Sequence, residues 1–312
     1  MKKKISIVSG AYNEEANIRE FYDRVTAVMK KMPQYDYEII VADNCSRDRT
    51  REIMREIAAT DRRFKCIFNS NNFGPDRSTT NARHRAKGDA VVMIVSDLQD
   101  PPELIEQFVA RWEEGYPMVC AIKRTIGGGW LIAMCRKLYY RLLCKVSVVR
   151  QIPDFIGFGL FDRKVVEALK QFHDPEPYVR GLLAEIGFRH YDIAYDQDVR
   201  KKGKSSYRFF NYYDYAMVGF VNYTKLPLRL AVFAGFVTGF VSILIAIGYL
   251  VYKLCYWNTF QLGLAPLVIG LFFFSAVQLI FIGIIGEYIG AIWTQVKNKP
   301  LVIEEETINF DQ

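Results

Sequence analysis

Two long apolar runs in the last third of the chain, about Leu230 to Tyr252 and about Leu264 to Gly286, constrain the fold more than any other feature. Each has the roughly twenty or more residues that a helix needs to cross a bilayer, whose interior offers no water to an unpaired backbone. The short linker between them carries Lys253 alone, whereas Lys225 and Arg229 precede the first run and Lys297 and Lys299 follow the second. Positive charge collects on the cytoplasmic side, so the expected anchor is a multi-pass helical hairpin of the cytoplasmic (inner) membrane with both ends in the cytoplasm. Gly235 with Gly239, and Gly286 with Gly290, form G-x-x-x-G pairs. They suit close helix packing within a protomer or in a homo-oligomer, and glycine simply tolerated in a membrane helix explains them equally well.

The first two thirds alternate apolar and charged residues, which predicts a cytoplasmic domain over residues 1–225, the anchor over 226–295 and a cytoplasmic tail over 296–312. With 312 residues the chain exceeds what one core usually holds. Short apolar runs followed by amphipathic segments argue for an α/β fold with a mostly parallel sheet. Strands are expected near Ile5–Ser9, Tyr37–Asp43, Phe64–Asn69, Ala90–Val95 and Met118–Ala121. Helix starts are expected at Asn13, at Asp48 and at Asp100-Pro101-Pro102-Glu103, the last with the spacing of a capping box and proline in the first turn. Trp130 to Val149 mixes apolar residues with Arg136, Lys137, Arg141 and Lys145, as an interfacial amphipathic helix does, and Tyr207 to Tyr223 adds a Tyr/Phe cluster suited to headgroup level. Six cysteines without a C-x-x-C pair and without a preceding signal sequence imply reduced thiols.

Ligands of open α/β sheets gather beyond the carboxyl ends of the strands. Three expected strands run into polar clusters: Tyr12-Asn13-Glu14-Glu15, Asp43 to Asp48, and Ser96-Asp97-Leu98-Gln99-Asp100. One acidic residue after a strand is usually a helix cap, but three clusters on one edge can line a cleft. An acidic cleft receives a nucleotide diphosphate only across a divalent cation, and Mg²⁺ or Mn²⁺ takes oxygen ligands. Asp97 is the expected metal ligand, with the Gln99 carbonyl beside it. No G-x-G-x-x-G follows the first strand, and Gly127-Gly128-Gly129 lacks the Gly-Lys-Ser/Thr ending of a phosphate loop, so dehydrogenase and P-loop chemistry have little support.

Ala11-Tyr12-Asn13-Glu14-Glu15, the Asp43 to Thr50 segment, Asp97-Leu98-Gln99-Asp100-Pro101-Pro102-Glu103 and the hairpin together resemble family 2 glycosyltransferases. The similarity is greatest to the dolichyl-phosphate mannose synthase and bactoprenol glucosyltransferase types. That resemblance implies a GT-A fold with interfacial helices and a two-helix anchor. It also implies inverting transfer from a nucleotide-sugar donor to a polyprenyl (undecaprenyl) phosphate. By match of position, Ala11, Tyr12, Glu14, Asp43 and Asp97 would contact the donor, while Asp97 and Gln99 would hold the metal. Arg124 and Arg136 resemble arginines that grip the acceptor phosphate, and Arg200, Lys204 and Ser205 match the R-x-x-G-x-S segment. The chain departs from the pattern at Val95, where the family often has the first Asp of D-x-D, at Gly10, which replaces the usual proline, at Asn44 and at Gly157. Asp154 lies close enough to Gly157 to substitute for the aspartate common there.

An ionised phosphate is already a nucleophile and needs no strong general base; a sugar hydroxyl does. Transfer to a hydroxyl of a lipid-linked oligosaccharide or polysaccharide is therefore the alternative, with Asp154 as base, and a weakly active membrane scaffold is a third reading. The net charge of +7 suits nucleic acid, membrane or phosphorylated substrate alike. The basic Lys201-Lys202-Gly203-Lys204 run sits just before the aromatic cluster, which favours membrane and lipid phosphate over nucleic acid. His84, His173 and His190 lack metal-ligand spacing.

Overall fold

The computed structural model describes residues 2–124, 147, 149, 151–153, 155–197, 217, 221–256 and 264–310. Five strands fall where alternation places them: β1 (Lys4–Ala11), β2 (Asp36–Asp43), β3 (Phe64–Asn69), β4 (Ala90–Met93) and β5 (Met118–Lys123). Three more complete the sheet: β6 (Phe155–Asp162), β7 (His190–Tyr195) and β8 (Glu304–Ile308). The strand order is β7-β5-β6-β4-β1-β2-β3-β8. β1, β2, β3 and β4 pair in parallel, β6 runs antiparallel between β4 and β5, and β8 closes the far edge antiparallel to β3. From β1 the chain winds outward through β2 and β3 and then returns to β4 on the other side, which sets a topological switch point between β1 and β4.

Both faces of the sheet are covered, so successive residues of β2 feed two different cores: Ile39 and Val41 one, Ile40 and Ala42 the other. The first core takes α1 (Ile18–Lys30), α2 (Thr50–Thr60) and α4 (Leu104–Glu113). The second takes α3 (Pro75–Arg85), α5 (Arg163–Lys170) and α6 (Val179–Ile186). In α4 the buried stripe is Ile105, Phe108, Val109 and Trp112, the helical spacing that turns one face to the sheet. β6 passes so near β5 that a Cβ on Gly159 would stand 2.3 Å from the Val119 carbonyl oxygen, a contact only glycine permits.

α7 (Leu226–Cys255) and α8 (Leu264–Lys297) are long and apolar enough to cross a membrane, and leave their apolar side chains exposed along their length. At 1.5 Å per residue, a thirty-residue helix such as α7 is about 45 Å long, more than the roughly 30 Å hydrocarbon core. Its hydroxyls bond within the helix, Thr238 to the Ala234 carbonyl and Ser242 to the Thr238 carbonyl. Tyr223, expected at headgroup level, is instead buried: its ring lies 5.8 Å from that of Tyr178 and covers Gly181 of α6. Apart from Ser147 and Val149, the basic helix expected over Trp130 to Val149 lies outside the described residues, as does most of the aromatic cluster.

Candidate active site

The carboxyl ends of β1, β2 and β4 present the three polar loops side by side. Each contains a non-glycine residue with positive φ: Asn13 (54°), Cys45 (64°) and Leu98 (60°). A left-handed backbone disfavours L side chains by about 1–2 kcal/mol, most tolerably for asparagine and least for a leucine, so the surrounding contacts impose it. Those contacts are visible. Ser46 Oγ accepts from the Asn13 N–H at 2.9 Å, Asn13 Oδ1 accepts from the Arg47 N–H at 2.9 Å, and Thr50 Oγ1 accepts from the Glu14 N–H at 2.8 Å. The first two loops are thus one hydrogen-bonded unit. Ser96 Oγ donates to the Gly10 carbonyl at 2.8 Å and ties the third loop to β1.

Asp43 ends β2 fully buried. It accepts from Arg51 Nε at 2.6 Å and from the Ser46 N–H at 3.1 Å. The neighbouring Asn44 fills the role of a neutral connector: its Nδ2 donates to Asn72 Oδ1 at 2.7 Å and its Oδ1 accepts from the Phe73 N–H at 2.9 Å. Ala11 is buried, Tyr12 is half-buried, and Glu14 is buried with its carboxylate accepting from Asn17 Nδ2 at 2.6 Å. The first helix accordingly starts at Ile18, a turn later than Asn13 would have it. Asp48 receives the Thr50 N–H at 3.0 Å from one residue before the N-cap of α2, a position that Arg49 fills without a side-chain bond.

Asp97 is half-exposed, and one of its oxygens accepts from the Gln99 N–H at 3.1 Å. Among the described residues no other donor meets it, which leaves lone pairs for a hard cation, and Val95 stands 50% exposed on the same rim. Among the described residues no group of three or more His, Cys, Asp or Glu side chains is placed to hold a metal. Asp100 does not cap α4, which begins only at Leu104; it turns the other way and is buried. There it accepts from Tyr195 Oη at 2.5 Å and from Gln197 Nε2 at 3.2 Å, while Lys123 Nζ donates to Gln197 Oε1 at 2.6 Å. Burial pushes the Asp100 carboxyl up from its ordinary range, against the pull of Tyr195 and Lys123, and burial beside Asp100 raises the Tyr195 phenol.

Arg124 follows β5, whose carboxyl end lies on the same edge as those of β1 and β4. Its guanidinium is exposed, 3.6 Å from Asp196. Asp154, Arg136, Arg200, Lys204 and Ser205 lie outside the described residues. Sequence patterns missed Tyr195, Gln197, Lys123 and Arg51, since each acts across the sheet and leaves no local spacing; an aromatic and an amide at the end of a strand was the one faint signal.

A family model for glycosyl transferase family 2 matches residues 6–169, which contain all three loops and the β4 end. The chain is 34% identical over 310 residues to the Bacillus subtilis glycosyltransferase YkcC, covering 98% of this chain and 94% of that one. It is 31% identical over 302 residues to the SfII prophage-derived bactoprenol glucosyl transferase of Shigella flexneri, covering 96% and 97%. A solved structure of Mycobacterium tuberculosis glucosyl-3-phosphoglycerate synthase with Mn²⁺, UDP and phosphoglyceric acid aligns at TM-score 0.45 and 24% identity, over 65% of this chain and 72% of that one. A mostly parallel sheet with acidic loops at its switch point, in a chain that this family model matches, is the GT-A fold of a glycosyltransferase. The chain belongs to glycosyl transferase family 2.

Proposed function

We propose that this glycosyltransferase moves a sugar, with inversion, from a nucleotide-sugar donor to the phosphate of undecaprenyl phosphate or a similar polyprenyl phosphate at the cytoplasmic face of the inner membrane. The observation that carries this reading is where α8 returns to the sheet. β8 starts opposite Asn69, at the carboxyl end of β3, and only residues 298–303 separate it from Lys297 at the end of α8. Six residues span at most about 20 Å. The edge that bears Asp43 and Asp97 is thereby tethered close to the end of a membrane-length helix. A lipid phosphate at the headgroup level is within reach of such a cleft while its tail stays in the bilayer. The Shigella relative's name, a bactoprenol glucosyl transferase, supports the same acceptor class.

In this reading Tyr12, Glu14 and Asp43 line the nucleotide side, and Asp97 with Gln99 would hold Mg²⁺ or Mn²⁺. The half-exposed carboxylate and the amide carbonyl are the hard oxygen donors such an ion takes. When bound, the ion neutralises charge on the departing diphosphate. Asp100, locked by Tyr195 and Gln197, holds the turn that carries Asp97. Arg124, together with Arg136 and the Arg200 to Ser205 segment, would orient the acceptor phosphate. A phosphate oxygen then attacks the anomeric carbon as the bond to the nucleoside diphosphate breaks, and no protein base has to take a proton.

The test is transfer of radiolabelled sugar from a panel of nucleotide sugars to undecaprenyl phosphate by the detergent-purified protein, with and without Mn²⁺ or Mg²⁺. Metal-dependent labelling of the lipid that disappears in Asp97→Ala is expected. Donor binding with no lipid labelling, but with labelling of a lipid-linked oligosaccharide, would replace this reading with transfer to a hydroxyl. Absence of any metal-dependent nucleotide-sugar binding would leave a scaffold.

A further inference from the structure

The C-terminal strand touches the site through one side chain. β8 lies along the outer edge of β3, and its three consecutive glutamates each meet a different arginine. Glu304 pairs with Arg85 at 2.5 Å, Glu305 with Arg51 at 3.0 Å and Glu306 with Arg55 at 2.6 Å. On either side of the strand, Arg77 donates to the Pro300 and Leu301 carbonyls, and Asn309 Nδ2 donates to the Ala58 carbonyl at 2.8 Å and the Phe64 carbonyl at 2.9 Å. Among the described residues, Arg51 alone of the three arginines goes on to a site residue. Its Nε donates to Asp43 at 2.6 Å, one terminal nitrogen donates to the Asn69 carbonyl at 2.6 Å, and the other meets Glu305. A planar guanidinium held at three corners by three elements has one orientation. Asp43 in turn receives the Ser46 N–H, and Ser46 receives the Asn13 N–H, so the chain of contacts runs from β8 through both nucleotide-side loops.

We propose that β8 is a positioning element of the donor site: Glu305, acting through Arg51, holds Asp43 and the loop after it in the geometry that receives the nucleotide. This rests on the assignment of Asp43 to the nucleotide. The strand follows α8 after only residues 298–303, so the strand that meets Arg51 is joined to the membrane-length helix by a short linker. Glu305 is 56% exposed, and its ion pair alone is weak. Its effect is expected to appear as orientation of Arg51, not as stability.

The experiment titrates UDP and GDP, each with Mn²⁺, into the full-length protein in detergent by calorimetry, and measures donor KM and kcat with whichever donor is used. Glu305→Gln is set beside Glu306→Gln, which removes an equivalent ion pair from the same strand but one that does not lead to Asp43. Glu305→Gln is expected to raise the nucleotide Kd and the donor KM about threefold to tenfold with kcat little changed, Glu305→Asp to recover part of that loss, and Glu306→Gln to leave affinity within twofold. Equal losses in the two glutamine variants, or none in Glu305→Gln while Asp43→Asn binds poorly, would overturn the positioning role. Unchanged affinity in Asp43→Asn itself, or no binding of either nucleotide by the wild type, would instead remove the donor assignment on which it rests.

Discussion

Two carboxylates near opposite ends of the sheet, Glu38 and Asp97, are treated in opposite ways. Toward the amino ends of the strands, Glu38 is buried and saturated: it accepts from Ser6 Oγ at 2.6 Å, the Lys87 N–H at 2.8 Å, Lys65 Nζ at 2.9 Å and Lys4 Nζ at 3.0 Å. Burial alone would raise its pKa, but these four donors outweigh burial and hold it at about 2. At the carboxyl ends Asp97 accepts, among the described residues, one hydrogen bond from its own turn, in one of three loops that each hold a left-handed residue. A carboxylate saturated by four donors, as Glu38 is, stabilises the fold and offers no lone pair to a cation. An unsaturated one, on a strained loop, is available for chemistry.

Substitution at the open end should act on turnover. Asp97→Ala is expected to lower kcat by about 10³-fold or more, the scale of losing electrostatic stabilisation of a leaving group, while thermal unfolding moves little. A loss under tenfold in the labelling assay would put the metal elsewhere.

At the closed end the effect should be on stability alone. The Glu38 pKa is depressed, so its contribution is complete above the unfolded value of about 4.5 and is lost as pH falls toward 2. Glu38→Gln should cost about 3 kcal/mol at pH 7, with the gap to wild type closing between pH 4.5 and 2. Urea denaturation of the two proteins at pH 7 and pH 3 reads this directly, and a gap independent of pH would contradict it.

Two smaller changes sharpen the contrast. Cys45→Gly relieves a positive φ at a half-buried position and should stabilise the protein by about 0.5–1 kcal/mol in the same denaturation series. Val95→Asp places a second carboxylate on the rim near Asp97 and should lower the Mn²⁺ concentration for half-maximal activity about threefold. An unchanged metal requirement would mean that position 95 does not face the metal.

Much of this was legible before any coordinates. Strands β1 to β5 announce themselves by apolar runs, three of them ending in polar clusters, and the two membrane-length helices by run length, because short apolar runs and long ones are both written in local sequence. β6, β7 and β8 were not anticipated. β6 reads Phe-Ile-Gly-Phe-Gly, where glycine obscures the strand pattern and the need for it comes from the approach to Val119. β8 is Glu-Glu-Glu-Thr-Ile, a charge run by composition, and becomes a strand because Arg85, Arg51 and Arg55 line the edge it joins.

The same division holds within the site. Asp43, Asp97 and Gln99 are marked by their places just after strands. Asp100, read as a helix cap from its spacing to Glu103, belongs to Tyr195, ninety-five residues away. By itself, then, the sequence determined the α/β alternation, the membrane-length hairpin and the acidic loops at the strand ends, since each is written in residues near one another. Only the tertiary structure decided that Glu38 is saturated and Asp97 open, and that the tail returns to the outer edge of β3, where Glu305 meets Arg51. Those outcomes depend on donors that reach a carboxylate from other strands, and no local pattern records how the sheet brings them together.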